Sequence, residues 1–136
     1  MKKLIIILIC LVSVNVYAEN INLSKIAYIE SRNNPLAYNK YSGARGIYQI
    51  TPICLKDYNN YHKVKYNLDD LFIPKINRII ASWYLEIRIP QMLKHYKKEV
   101  NIDNILWAYN AGIGKVIKEI KPEETKNYII KYYNLK

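Results

Sequence analysis

Beyond residue 20, apolar positions recur along the chain at intervals of three and four, the period of helices that bury one face. Leu23, Ile26 and Ile29 share a side of a first helix from about Asn22 to Ser31, with Asn22 suited to cap it and the turn-favouring run Asn33-Asn34-Pro35 beyond it. Gly43 and Gly46 mark a loop, after which Thr51-Pro52 supplies a cap and a first-turn proline for a helix to about Tyr58. The strongest signal follows Pro74. There Ile76, Ile79, Ile80, Trp83, Tyr84 and Ile87 predict one long amphipathic helix, which Pro90 should end or kink, with Met92 and Leu93 on a further turn. Asn101 or Asp103 can cap the next helix, which carries Ile105, Leu106, Trp107 and Tyr109 and ends at Gly112, a residue suited to the left-handed conformation. Gly114 then lets the chain turn again. Pro122 to about Tyr133 reads as the last helix, with Glu123 and Glu124 well placed against its dipole. Only Val64 to Asn67 suggests a short ribbon, so the expectation is an all-α fold.

The first residues follow another pattern. Met1-Lys2-Lys3 is a short basic start, Leu4 to Val16 is apolar except for Ser13 and Asn15, and Val16-Tyr17-Ala18 ends in small residues at the spacing of a cleavage site. The run is shorter than the roughly 20 apolar residues of a spanning helix. Residues 1–18 are therefore expected to be a signal peptide and residues 19–136 one exported domain, in the periplasm or cell envelope, with no stable membrane span after processing. The chain carries Lys+Arg 21 against Asp+Glu 11, a net charge of +10 that loses two with Lys2 and Lys3. Such an excess favours nucleic acid, an acidic membrane or an acidic wall polymer, and export argues against nucleic acid. Cys10 lies in the signal, so Cys54 has no partner for a disulfide and reads as a core thiol. His62 and His95 stand in no ligand cluster, so neither metal nor cofactor is expected.

Acidic residues are few, and Glu30 sits late in an apolar helix before a loop rich in hydrogen-bonding residues. Alone it reads as a solvated helix glutamate. Its company changes that: Glu30-Ser31 is followed by Gly46-Ile47-Tyr48-Gln49-Ile50-Thr51-Pro52, Asp70-Leu71-Phe72-Ile73-Pro74, Ala108-Tyr109-Asn110-Ala111-Gly112 and Glu124-Thr125-Lys126-Asn127-Tyr128. In that order, from about Ile26 to Tyr132, these resemble the lytic transglycosylase SLT domain family, among the goose-type-lysozyme-like glycosidases. Tyr48 replaces the family's usual methionine, and Ile113 a common proline.

The resemblance implies a lysozyme-like domain whose catalytic groove holds peptidoglycan glycan strands. Breaking their β-1,4 bond needs a carboxylic acid still protonated near neutrality, which an apolar wall provides by raising its pKa, in lysozyme to around 6. Ile26, Ile29 and the tyrosines are candidates for that wall around Glu30. By resemblance Glu30 is the catalytic acid, Tyr128 directs its hydroxyl at it, and Ser31 fixes local geometry. Gly46, Tyr48, Gln49, Tyr109 and Asn110 line the groove for N-acetylated sugars, Gly46 by giving the sugar close access to backbone. The candidates for a second carboxylate are Asp57, Asp69 and Asp70, but Asp69 and Asp70 read more simply as turn residues and Asp57 as a surface one. One carboxylate serving both proton transfers suits a lytic transglycosylase that leaves 1,6-anhydro-muramic ends, and the alternatives are a hydrolytic muramidase of the same fold and a silent peptidoglycan-binding assembly protein. Small members of the family often open the wall for secretion, conjugation or pilus machines.

Overall fold

Asn22 begins the first helix as its sequence suggests: its side-chain oxygen accepts the Lys25 N–H at 3.2 Å, and α1 runs Leu23–Ser31. Arg32 and Asn33 then take positive φ, 53° and 63°, and the chain leaves the helix. The computed structural model describes residues 20–136, so the expected signal peptide lies outside the described residues. Thr51 caps α2 (Pro52–His62) through the Cys54 N–H, and the helix continues one turn past Tyr58 to the left-handed Lys63. No ribbon forms at Val64 to Asn67. The Asn59 side chain takes both the Tyr66 N–H, at 3.1 Å, and the Tyr66 carbonyl, at 2.8 Å, leaving nothing for a neighbouring strand to pair with. A 3-10 turn, Asp69–Phe72, follows, with Asn67 accepting the N–H groups of Asp69 and Asp70.

Pro90 does not end the long helix. α3 (Pro74–Trp83) runs into a π-helical turn, Tyr84–Arg88, and on into α4 (Ile89–His95). Ile89 N–H reaches back five residues to the Tyr84 carbonyl, and this wider turn receives a proline that has no N–H of its own to place. The extra residue rotates the buried face. Ile80 and Trp83 are buried as expected; Ile79, upstream of the turn on the outer side of α3, is 44% exposed, while within the turn Ile87 is 46% exposed, and burial continues along Ala81, Leu85, Ile89 and Leu93. Asn77, a polar residue on the inner side of α3, is completely buried.

Asn101 rather than Asp103 caps α5 (Ile102–Ala111), accepting the Asn104 N–H at 2.8 Å. Gly112 takes φ 85° and ψ 150°, an extended positive-φ conformation in place of the left-handed helical one expected, and Gly114 lies inside a short helix α6 (Ile113–Ile117) instead of turning the chain. Pro122 precedes α7 (Glu123–Asn134). α5 packs on α4, α6 and α7, and α1 lies against α7, where Asn22 N–H donates to Tyr132 Oη at 2.8 Å across 110 positions of sequence. The core is drawn from every part of this assembly, with Ile26, Ile50, Leu71, Ile80, Leu106 and Val116 among its fully buried side chains. The described residues contain isolated bridges from Arg45 to Tyr38 and to Ile50 but no extended strand, so the described fold is all-α, as expected.

Candidate active site

Packing of α1 on α7 brings Glu30, in the last turn of α1, to Tyr128, whose hydroxyl donates to Glu30 Oε1 at 2.7 Å. Burial pushes the Glu30 carboxyl from 4.5 up to about 7, against the opposing effect of the Tyr128 hydrogen bond and with a smaller upward contribution from the charge of Glu124. Glu30 thus holds its proton near neutrality beside a phenol whose own pKa burial drives well above its usual value. The expected acid and its expected partner do meet.

The loop opposite is held at several points. Ser31 Oγ donates to the Ile47 carbonyl at 2.7 Å and accepts the Asn34 N–H at 3.1 Å, tying the end of α1 to the loop. Asn77 accepts the Tyr48 N–H at 2.8 Å and donates to the carbonyls of Arg45 and Leu71, both at 2.9 Å. Tyr109 Oη donates to the Tyr48 carbonyl at 2.6 Å. Gln49 has φ 49°, a rare backbone state for a residue with a side chain, and its Nε2 donates to the carbonyls of Gly46 and Ala37 at 3.0 and 3.2 Å. That spends its amide hydrogens and leaves the amide oxygen for a ligand. Across the groove, Asn110 accepts from Thr125 Oγ1 at 2.7 Å, which leaves its amide nitrogen as donor.

Glu30, Gln49, Tyr109 and Asn110 line a cavity of about 240 Å³ together with Asn39 and Tyr84. A second cavity, of about 570 Å³, opens on the α7 side and shares Glu30, Asn110 and Glu124 with the first. The groove therefore passes over the acid. Two expected lining residues sit elsewhere. Tyr48 is only 3% exposed, with its ring in the core. At Gly46 a Cβ would collide with the Leu71 carbonyl and the Asn77 side chain, so the close approach that glycine permits is made by the protein's own interior.

None of the acids expected as possible second carboxylates lines either cavity. Asp57 is bound by Arg88 at 2.7 Å, and Asp70 Oδ2 accepts the Asn67 N–H. The carboxylates that share the groove are Glu124, which lines both cavities, and Glu123, which lines the second. The sequence reading took them only as first-turn residues suited to the helix dipole, although Glu124 stands one turn before Tyr128 on the same face of α7, a spacing that points to it. Asn77 gave less warning, because a polar residue within an apolar helical pattern looks like a solvent position. Cys54 is buried, and burial raises its thiol far from ionisation. No three His, Cys, Asp or Glu side chains among the described residues are grouped to hold a metal ion, and no described helix is long and apolar enough to cross a membrane.

The family model of the Transglycosylase SLT domain matches residues 16–131, and the chain belongs to that family. The match reaches ten residues further towards the amino end than the motif resemblance, which begins near Ile26. It makes the domain one of the lytic-transglycosylase type, with peptidoglycan as the substrate its family implies. No curated protein and no solved structure matches the chain.

Proposed function

We propose that the protein is an active lytic transglycosylase that cuts the β-1,4 bond between N-acetylmuramic acid and N-acetylglucosamine and leaves a 1,6-anhydro-muramic end. The observation that carries this is the Glu30 carboxyl, held up to about 7 in a groove and bonded at 2.7 Å by Tyr128. Protonated Glu30 gives its proton to the departing glycosidic oxygen. The carboxylate so formed, favoured by the Tyr128 hydrogen bond, takes the proton of the muramic C6 hydroxyl as that oxygen closes on C1, which restores the acid and consumes no water. Gln49 and Asn110 supply the acceptor and the donor that an acetamido group needs for its N–H and its carbonyl. That acetamido group stabilises the positive charge at C1, the service a second carboxylate gives in most glycosidases.

A hydrolytic muramidase is the second reading, because Glu124 lines the same groove and could activate a water. Mass spectrometry of products from purified sacculi separates the two. Anhydro ends, lighter by one water, are the expected outcome, and reducing ends alone would move the assignment to hydrolysis through Glu124.

Export belongs to the same proposal, and protein recovered from the envelope should have lost Lys2 and Lys3 by intact mass. The cellular task we assign is local opening of the wall at a secretion, conjugation or pilus apparatus, by analogy with small members of the family. A Glu30→Gln strain should fail to assemble such an apparatus while general wall growth continues.

A further inference from the structure

The groove does not stop at α7. Ile29 and Lys131, on the wall of the cavity beside Glu30, also line a further pocket of about 350 Å³ with Tyr28, Arg32, Asn134 and Leu135. A continuous surface therefore leads from the acid to the seam between the end of α1 and the end of α7.

That seam differs chemically from the opposite end of the groove. Beyond Gln49 the wall is neutral and polar, with Asn39, Ser42 and Thr51, groups suited to sugar hydroxyls and amides. At the seam the only charged side chains are cationic. Arg32 is fixed at the left-handed end of α1, its N–H bonded to the Tyr28 carbonyl at 2.9 Å, and Lys131 projects from the last turn of α7. Ion pairs among the described residues join Arg88 to Asp57, Lys98 to Glu119 and Lys126 to Glu123, and neither Arg32 nor Lys131 belongs to one. The acids nearest along the groove are Glu123, held by Lys126, and Glu124, whose charge acts on Glu30. They would repel a ligand carboxylate from the catalytic end and leave the two cations as its resting place. Tyr28 and Leu135 add apolar surface beside them.

We propose that this pocket binds the peptide stem of the strand being cut, with Arg32 and Lys131 on its carboxylates, so that the enzyme favours peptide-bearing over bare glycan. The proposal rests on the peptidoglycan-cleaving reading above. In the intact strand the muramic lactyl carboxyl is spent in its amide link to the stem, so the sugars are uncharged and the stem carries the free carboxylates. An arginine fork matches a carboxylate with two hydrogen bonds, and a lysine on the facing helix adds a second, adjustable charge.

The test compares the purified protein on intact sacculi and on strands stripped of peptide by an amidase, with the lactyl carboxylate so exposed converted to its neutral amide. Wild type should have the lower KM on intact material. The double variant Arg32→Gln and Lys131→Gln should raise that KM about tenfold with kcat changed less than about twofold, as expected for the loss of two screened charge contacts, and Arg32→Lys with Lys131→Arg should recover most of it. Equal KM values of wild type for the two substrates, or an undiminished preference in the double variant, overturn the proposal. Titrating the free stem tetrapeptide into isotope-labelled protein gives a readout independent of turnover, with amide shifts expected at Arg32, Lys131 and Leu135. Shifts at these residues with neither substrate cut would uphold the pocket and sink the reaction. Cutting without shifts would do the reverse, and shifts confined to other residues would leave the cations to an acidic segment of another protein, against the proposal.

Discussion

On the proposed mechanism, the one side chain of Glu30 sets catalysis and stability against each other. An unfolded glutamate titrates near 4.5 and the folded one near 7, so the native state binds the proton more tightly. Stability on this account is greatest below 4.5, falls as pH rises towards 7 and is flat above, a loss of at most about 3 kcal/mol. Glu30→Gln removes the titration while keeping an oxygen for Tyr128 to bond. It should abolish wall cleavage and yet melt at a higher temperature than wild type at pH 8, with the two melting together near pH 4. Equal melting at pH 8 would mean that the carboxyl is far better solvated than its surroundings indicate. Tyr128→Phe acts oppositely on the acid. It deletes the bond that favours the carboxylate, so the alkaline limb of the activity profile should move to higher pH while turnover drops about tenfold to a hundredfold, the range of one positioned hydrogen bond. A pH–rate profile measured on sacculi checks both effects.

Element by element, the points where helices begin were plain in the sequence, and their internal turns were not. Asn22, Thr51 and Asn101 are side-chain caps that satisfy backbone donors locally, and such chemistry is visible in a few residues. The π-helical turn at Tyr84–Arg88 was not visible. Periodicity assumes a constant rise and rotation, so one inserted position moved Ile87 outward and Leu85 inward without altering the composition of the segment. That Glu30, Gln49, Tyr109 and Asn110 line one groove, with Tyr128 bonded to Glu30, was legible because motifs carry all five. That Tyr48 turns its ring to the core and Gly46 its open side to Leu71 and Asn77 was not legible, because a motif does not say which of its members faces the groove and which faces the core. The π-helical turn yields a direct comparison by chemical denaturation. Leu85→Ala should cost about 2–5 kcal/mol and Ile87→Ala less than about 1 kcal/mol, the reverse of what an uninterrupted helix implies. Tyr84, which opens this turn, lines the cavity beside Glu30, in keeping with the concentration of such turns at functional sites.

Over the whole molecule, a net charge of +10 gives a long-range attraction to anionic wall material that salt screens beyond roughly 8 Å at physiological strength. Binding of the inactive Glu30→Gln protein to sacculi should weaken steadily as salt is raised, and a pull-down at several concentrations reads it. Binding indifferent to salt would assign the basic excess to something other than capture of the wall. The arrangement of the chain also bears on when the protein can act. Asn22 at one end of the described residues is bonded to Tyr132 near the other, and the acid on α1 meets its hydroxyl only when α7 is in place. A chain threaded through a membrane amino end first delivers Glu30 early and Tyr128 almost last. On the export and activity proposed above, the segment that emerges before the final helix carries a glutamate in water with an ordinary acidity, and the envelope is spared a cutting tool that works before its own delivery is complete.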